Sequence, residues 1–254
     1  MTVGTTREVR NTRGTTLAAV VARSFLLQSV WNRRTMQSVG FCYAMLPALR
    51  GRRAGGPEAA AFLERHLAFF NTNPVLASYV LGAATAAEAG GGSGAREVDE
   101  IKRGLAGPLG MAGDALFWSA LRPLGGMLAV LAALASRPWA ALLLLGVYNV
   151  PHLCLRVRGV VAGAAHGPSA VREVLGPGVR RVVTTVRATA SFATGLAAAL
   201  AVTRGAPGHG AVAAAVVLFV GGVVAVRLRA SVTAVAVVSA AVGAVLTTTG
   251  ALGG

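Results

Sequence analysis

The sequence predicts an all-α integral membrane protein, on three observations. Hydrophobic residues make up 54% of the 254 positions and charged residues only 13%, about half the charged share of an ordinary soluble domain and too little to cover a soluble surface. Several uncharged apolar runs reach or approach the roughly 20 residues that a helix needs to cross a bilayer. Basic residues collect in the breaks between those runs, as they do in cytoplasmic loops. The same composition excludes a disordered chain, which is low in hydrophobicity. Glycine and proline recur without a three-residue period, which excludes collagen. The net charge of +15 would suit nucleic acid in a soluble protein. Joined to a mean hydropathy of +0.63, it suits basic loops between membrane spans instead.

Residues 1–16 are polar and basic and read as a retained cytoplasmic tail. A core of interfacial and re-entrant helices is expected over 17–187, and transmembrane helices over 188–254. Residues 17–50 are apolar runs split by Arg23, Arg33 and Arg34 and read as interfacial. Residues 57–70 open on Pro57-Glu58, good chemistry for a helix start. They then mix Phe62, Leu63, Leu67, Phe69 and Phe70 with Glu64, Arg65 and His66, an amphipathic pattern that suits a membrane surface or a partner. Residues 88–103 read as a Gly-rich linker and a short charged helix forming an exposed cytoplasmic loop. The apolar stretches 67–87, 104–121, 123–136 and 138–155 are interrupted by Pro, Gly or polar residues, so discontinuous or re-entrant helices are expected. At the C-terminal end, 188–203, 205–226 and 230–254 carry no Asp, Glu, Lys or Arg. Four arginines precede the first of these (Arg172, Arg180, Arg181, Arg187), Arg204 alone follows it, and Arg227 and Arg229 follow the second. That alternation predicts three spans on an inside–outside–inside path.

Four constellations could carry chemistry. In the first, Gln28, Trp31, Asn32 and Gln37 stand in apolar surroundings. Amides donate and accept, which suits sugar hydroxyls, and an indole offers an apolar face. In the second, Phe69-Phe70-Asn71-Thr72-Asn73-Pro74 places two amides, Asn71 and Asn73, at one bend, which is costly at membrane depth unless it faces a ligand, water or a partner. In the third, a glycine-rich run ends at Gly113-Asp114 without the Gly-Lys-Ser/Thr of a P-loop. Asp114 is the only carboxylate between Glu100 and Glu173. It reads as a helix cap and as a functional intramembrane acid, with Arg122 as a candidate partner. The fourth, Tyr148-Asn149-Val150-Pro151-His152, offers a lone histidine with no nucleophile beside it. Neither Cys42 nor Cys154 has a metal-binding spacing. No catalytic group, metal or cofactor is expected.

SFLLQSVWNRRTMQSVGFCYAMLPALR, RHLAFFNTNP, GLAGPLGMAGDALFWSALRP and YNVPHLCLR, in that order and spacing, resemble the IID component of the mannose/fructose/sorbose family of the bacterial phosphotransferase system. The resemblance covers 24–160 and extends beyond through the three-span layout. It implies a multi-pass subunit of the bacterial cell membrane that pairs with a IIC subunit in a hetero-oligomer and translocates a hexose of the mannose/fructose/sorbose class. It implies that phosphoryl groups travel on partner IIA and IIB components, so that this chain is not itself an enzyme. Asn71, Asn73 and Asp114 would then hold the sugar or the element that moves, supported by Gln28, Trp31 and Asn32. There are departures. Arg33-Arg34-Thr35 stand where many members carry an acidic residue, Asn73 where His or Gln is frequent, and 204–210 is a bare turn where relatives carry a longer excursion. A divergent, non-transporting subunit is therefore the alternative within the family. Outside it, a membrane-embedded enzyme would want clustered Asp, Glu or His, and a nucleic-acid binder would be soluble without detergent.

Overall fold

The computed structural model describes residues 3–52, 55–90, 94–205 and 220, and every regular element among them is a helix. In order these are α1 (Val3–Ser24), α2 (Ser38–Arg52), α3 (Gly56–Leu67), α4 (Ala77–Ala89), α5 (Gly94–Gly113), a π-helical segment (Asp114–Leu121), α6 (Arg122–Leu134), α7 (Ala140–His166), a 3-10 turn (Gly167–Val171), α8 (Arg172–Leu175) and α9 (Pro177–Gly205). The extended pairing present is two single bridges, Asn32 with Met36 and Met36 with Phe70. The residues fall into two compact units. One takes the chain up to Ala115 and again over Pro151–Arg180; the other takes Leu116–Val150 and the chain from Arg181 onward.

The first unit is built around α4. Its sequence, ASYVLGAATAAEA, is apolar or small on every side, and a helix without a polar face has to be enclosed. Ala77 through Thr85 are all buried. Phe41, Met45, Phe62, Phe70, Val98, Leu109 and Val160 pack with Tyr79, Val80 and Leu81 into one core. The backbones of α4 and α7 approach closely. A side chain at Gly82 would overlap the backbone of Val160, and one at Gly163 the backbone of Tyr79. Gly159 and Gly163 are one turn apart, so one small-residue face of α7 lets the two backbones touch. On α5, Val98, Ile101 and Leu109 turn inward while Arg96, Glu97, Glu100 and Arg103 are exposed. On α3, Phe62 and His66 are buried one turn apart, whereas Leu67 at its end and Phe69 just beyond it are exposed. That short stretch therefore offers apolar side chains both to its own core and to the surroundings.

In the second unit Phe117 meets Tyr148 edge-on at 5.7 Å between ring centroids, and Gly125 lies against Leu144. Leu142, Leu145, Val150 and Phe192 are exposed. Two helical runs, Arg96–Leu134 and Ala140–Ala197, are long and apolar enough to cross a membrane. Only 6% of the most apolar window in the second is buried, whereas a core helix of a soluble protein would be mostly enclosed. That exposure suits a helix surrounded by hydrocarbon.

Several expectations change. Residues 88–103 are not an exposed loop at either end. Glu88 closes α4 at 1% exposure, and Lys102 lies inside α5 at 4%. The glycine-rich run does not break the chain path: Gly104, Gly107, Pro108 and Gly110 all lie within α5, and the irregularity comes as the π segment after it. Pro151 likewise sits inside α7. The breaks fall at 25–37, 68–76 and 135–139, where polar or turn-forming residues can satisfy the freed backbone groups locally. Residues 188–203 lie in α9. Apart from Val220, the spans expected over 205–226 and 230–254, with the 205–210 turn beyond Gly205, lie outside the described residues.

Candidate functional site

The bend between α3 and α4 is held residue by residue. Gln37 treats Thr72 as a strand would. Its Nε2 donates to the Thr72 carbonyl at 2.7 Å, and its Oε1 accepts from the Thr72 N–H at 3.2 Å. The Gln37 N–H donates to the Phe70 carbonyl at 2.9 Å. Met36, just before it, has a φ of +57°, a left-handed conformation that costs a non-glycine residue about 1 kcal/mol. Here that conformation lets the 25–37 loop double back onto the bend. The Thr72 hydroxyl donates to the Ala106 carbonyl of α5 at 2.7 Å.

Asn73 comes next. Its side-chain oxygen accepts from the N–H groups of Val75 (3.1 Å) and Leu76 (3.4 Å), and its carbonyl accepts from Ala77 at 2.9 Å. It thereby caps the turn that leads into α4. With the oxygen committed, the amide nitrogen points the other way and donates to Asp114 Oδ1 at 3.1 Å. Asn73 is 3% exposed, whereas Asp114 is exposed. Gly113 makes the meeting sterically feasible, because a side chain there would overlap Cβ and Cγ of Asn73. The Gly-Asp pair is thus a unit: the glycine admits the amide, and the acid one position on accepts its hydrogen bond. Asp114 opens the π segment, a form that recurs at functional sites, and its carboxylate is engaged across the fold instead of capping a helix start. Chemically, this is a carboxylate held from beneath by a buried donor and open on its other side, able to accept hydroxyl protons. Arg122, in the second unit, stacks on the Trp118 ring at 4.8 Å.

The other candidates are placed differently. Asn71 is exposed. Asn32 organises its own turn, accepting from the N–H groups of Arg34 (3.0 Å) and Thr35 (2.9 Å) and donating to the Thr35 hydroxyl (3.0 Å). Gln28 is exposed, and Trp31 is 49% exposed. These four stand on the two loops joined by Gln37 but do not join the Asn73–Asp114 contact. Among the described residues, no group of three His, Cys, Asp or Glu could hold a metal ion.

Sequence reasoning missed three groups. Gln37 registers there only as a polar residue in apolar surroundings, and Gly113 only as one of many glycines. Arg156, at 4% exposure on α7, donates to the carbonyls of Ser24 and of Pro74, the latter at 3.0 Å, with its guanidinium 4.9 Å from the Phe25 ring centre. A second buried polar cluster also escaped notice. Arg65 donates to both oxygens of Glu88 at 2.7 and 3.3 Å, and His66 Nε2 lies 3.0 Å from Glu88 Oε1. Lys102 donates to the carbonyls of Arg65 (2.7 Å) and Ala68 (3.4 Å), capping the end of α3. Burial pushes the Glu88 carboxyl up, but the hydrogen bonds and charges of His66 and Arg65 outweigh it and leave it below the ordinary range. Burial holds His66 below its ordinary value, and Glu88 only partly offsets this. A neutral imidazole donating to a carboxylate follows.

The comparisons with known proteins agree with one another. A family profile described as "PTS system mannose/fructose/sorbose family IID component" matches residues 12–207. The mannose-specific EIID component of Escherichia coli strain K12 is 36% identical over 181 residues, which cover 69% of this chain and 63% of that protein. The sorbose-specific EIID component of Klebsiella pneumoniae is 33% identical over 63% of this chain and 60% of its own. The fructose permease IID component of Bacillus subtilis strain 168 is 28% identical over 69% of this chain and 65% of its own. The chain thus spans somewhat less than two thirds of each of these relatives. A cryo-EM structure of the mannose transporter ManYZ in complex with microcin E492 is similar at a TM-score of 0.58 and 25% identity, over 94% of this chain and 97% of that one. A solved structure described only as a membrane protein is similar at a TM-score of 0.63 and 33% identity, over 72% of this chain and 68% of that one.

Proposed function

This chain belongs to the mannose/fructose/sorbose family of phosphotransferase-system IID components, and from that membership we propose that it is the IID-type membrane subunit of a phosphoenolpyruvate-dependent sugar phosphotransferase permease. With a IIC-type subunit it moves a hexose of the mannose/fructose/sorbose class across the bacterial cell membrane. Its N-terminus is cytoplasmic and it crosses the bilayer several times; the basic residues around 172–187 support that orientation. The phosphoryl-transfer steps belong to IIA and IIB components, and this chain contributes translocation.

The observation that carries the mechanistic part is the Asn73–Asp114 contact. Sugars present adjacent hydroxyls, each a donor and an acceptor, and recognition sites meet them with a few well-placed polar groups. Asp114 supplies an acceptor oriented before the sugar arrives, because the 3.1 Å bond from Asn73 fixes one of its oxygens. Asn71, Gln28, Trp31 and Asn32 complete the environment from the two neighbouring loops, with the Trp31 ring as an apolar face. The contact lies where an α-helix turns into a π segment, a place where a small change of helical register would move the carboxylate.

The test is Asp114→Asn in membranes containing the cognate IIC subunit, with uptake normalised to inserted protein. A hydrogen bond to a charged group is worth about 1.5–3 kcal/mol, so a loss of uptake of at least about tenfold is expected. Wild-type uptake in that variant would remove Asp114 from transport. An absence of uptake in the unmodified chain with its partner present would instead favour the divergent, non-transporting subunit.

A further inference from the structure

Arg156 is a buried guanidinium with an uncommon set of acceptors. A guanidinium stays charged at any physiological pH, and enclosing a charge is expensive unless acceptors meet it. The acceptors that meet it here include two backbone carbonyls from distant parts of the chain. Ser24 lies 132 positions away and Pro74 lies 82 positions away. Ser24 is the last residue of α1, so its carbonyl belongs to the partly negative end of that helix, which a cation satisfies. Pro74 directly follows Asn73. The planar fork suits this task because it directs separate N–H groups along fixed directions to two oxygens, which a lysine ammonium does not do. Phe25 covers the guanidinium with its ring, so the charge is held by a stack as well as by hydrogen bonds.

The consequence falls on Asn73. Its neighbour on one side, Thr72, is gripped at both backbone groups by Gln37. Its neighbour on the other side, Pro74, is gripped at its carbonyl by Arg156. With both flanks pinned, the direction of the Asn73 amide toward Asp114 is set by the two clamps and not by Asn73 alone. Arg156 holds the Pro74 carbonyl, so its path to the carboxylate runs through the Pro74–Asn73 backbone.

We infer that Arg156 is a positioning residue of the Asn73–Asp114 site, holding the Pro74 side of the bend so that the amide stays aimed at the carboxylate. The inference rests on the proposed role of that pair in translocation. It is tested by a double-mutant cycle in the assembled permease. Arg156→Gln, Arg156→Lys, Asp114→Asn and the double variant Arg156→Gln/Asp114→Asn are compared for KM and maximal uptake, each normalised to inserted protein. Arg156→Gln is expected to lower uptake about tenfold at an undiminished level in the membrane. Arg156→Lys should stay impaired, because charge without the fork does not hold both carbonyls. The double variant should be no worse than Asp114→Asn alone, since the arginine acts through the acid it positions. Arg156→Ala should recover part of its uptake when guanidinium ion is supplied.

Losses that multiply in the double variant would overturn the inference and leave Asp114 in place. Wild-type uptake in Asp114→Asn would overturn the proposed site itself. If neither Arg156→Gln nor Arg156→Lys inserts, while Asp114→Asn inserts normally, Arg156 is a folding residue and the positioning role is lost.

Discussion

Single residues in this chain act through what their neighbours have already used. Asn73 has one oxygen and one nitrogen to offer; the turn into α4 takes the oxygen, which leaves the nitrogen for Asp114. His66 shows the same logic. Neutral and buried, it gives Nε2–H to Glu88, while Arg65 supplies the positive charge. Both shifts have the same sign for stability. His66 is depressed below its unfolded value of about 6.5, so the folded state binds fewer protons there. Its contribution is present above that pH and is lost as the pH falls below it. Glu88 is also depressed, so its contribution is present above the ordinary carboxylate value of about 4.3 and is lost as the pH falls through its folded value. Thermal unfolding in detergent should therefore be insensitive to pH just above 6.5 and should weaken in two stages on acidification. His66→Gln should shrink the first stage and keep the second. A first stage of unchanged size would show that His66 does not contribute to it.

Elements depend on close backbone approach more than on apolar mass. Where both the core and the outside are hydrocarbon, burying a leucine gains little, and packing carries the helix–helix contact. Gly82 on α4 and Gly159 and Gly163 on α7 supply it, with the Ser78 hydroxyl, bonded to the Val75 carbonyl at 2.7 Å, lying 3.3 Å from the Leu155 carbonyl across the contact. Gly163→Val places two methyl groups against the backbone of Tyr79 and should destabilise the first unit by about 1–3 kcal/mol, read as a lower unfolding temperature or faster proteolysis in detergent. An unchanged unfolding temperature would mean that α4 and α7 are not this close. The G-x-x-x-G of α7 is legible in the sequence at 159–163, but its partner helix is not. The π segment is illegible for a different reason. Leu116, Phe117, Ala120 and Leu121 are buried, a spacing that an α-helix would also produce. Prolines misled in the opposite direction: Pro108 and Pro151 both lie inside helices, because a missing N–H can be accommodated in a helix whose neighbours or local geometry satisfy the freed carbonyl.

At the scale of the whole molecule, the exposed apolar surface decides the solvent. Leu142, Leu145, Val150 and Phe192 are exposed along the run that is long enough to span a bilayer, where lipid suits them better than water. The protein should remain with the membrane through a high-salt wash and through alkaline carbonate, and should be released only by detergent. Release by salt alone would mean that the net charge of +15, and not the apolar helices, holds it there.

What the sequence determined by itself was the solvent, the helical class and the family. Hydropathy, charge gaps and a run of motifs in fixed order are properties of neighbouring residues, and neighbours are what a sequence displays. The Asn71–Pro74 bend was legible for the same reason, since polar residues and a proline mark it on the spot. Only the tertiary structure decided what meets at that bend. Asn73 and Asp114 are 41 positions apart, Arg156 reaches back 82 to Pro74, and Glu88 and Lys102 turned out to be buried charges instead of the ends of an exposed loop. Each of these depends on segments far apart in the chain coming together, and glycines such as Gly113, Gly82 and Gly163 permit approaches whose purpose appears only when the facing segment is in place.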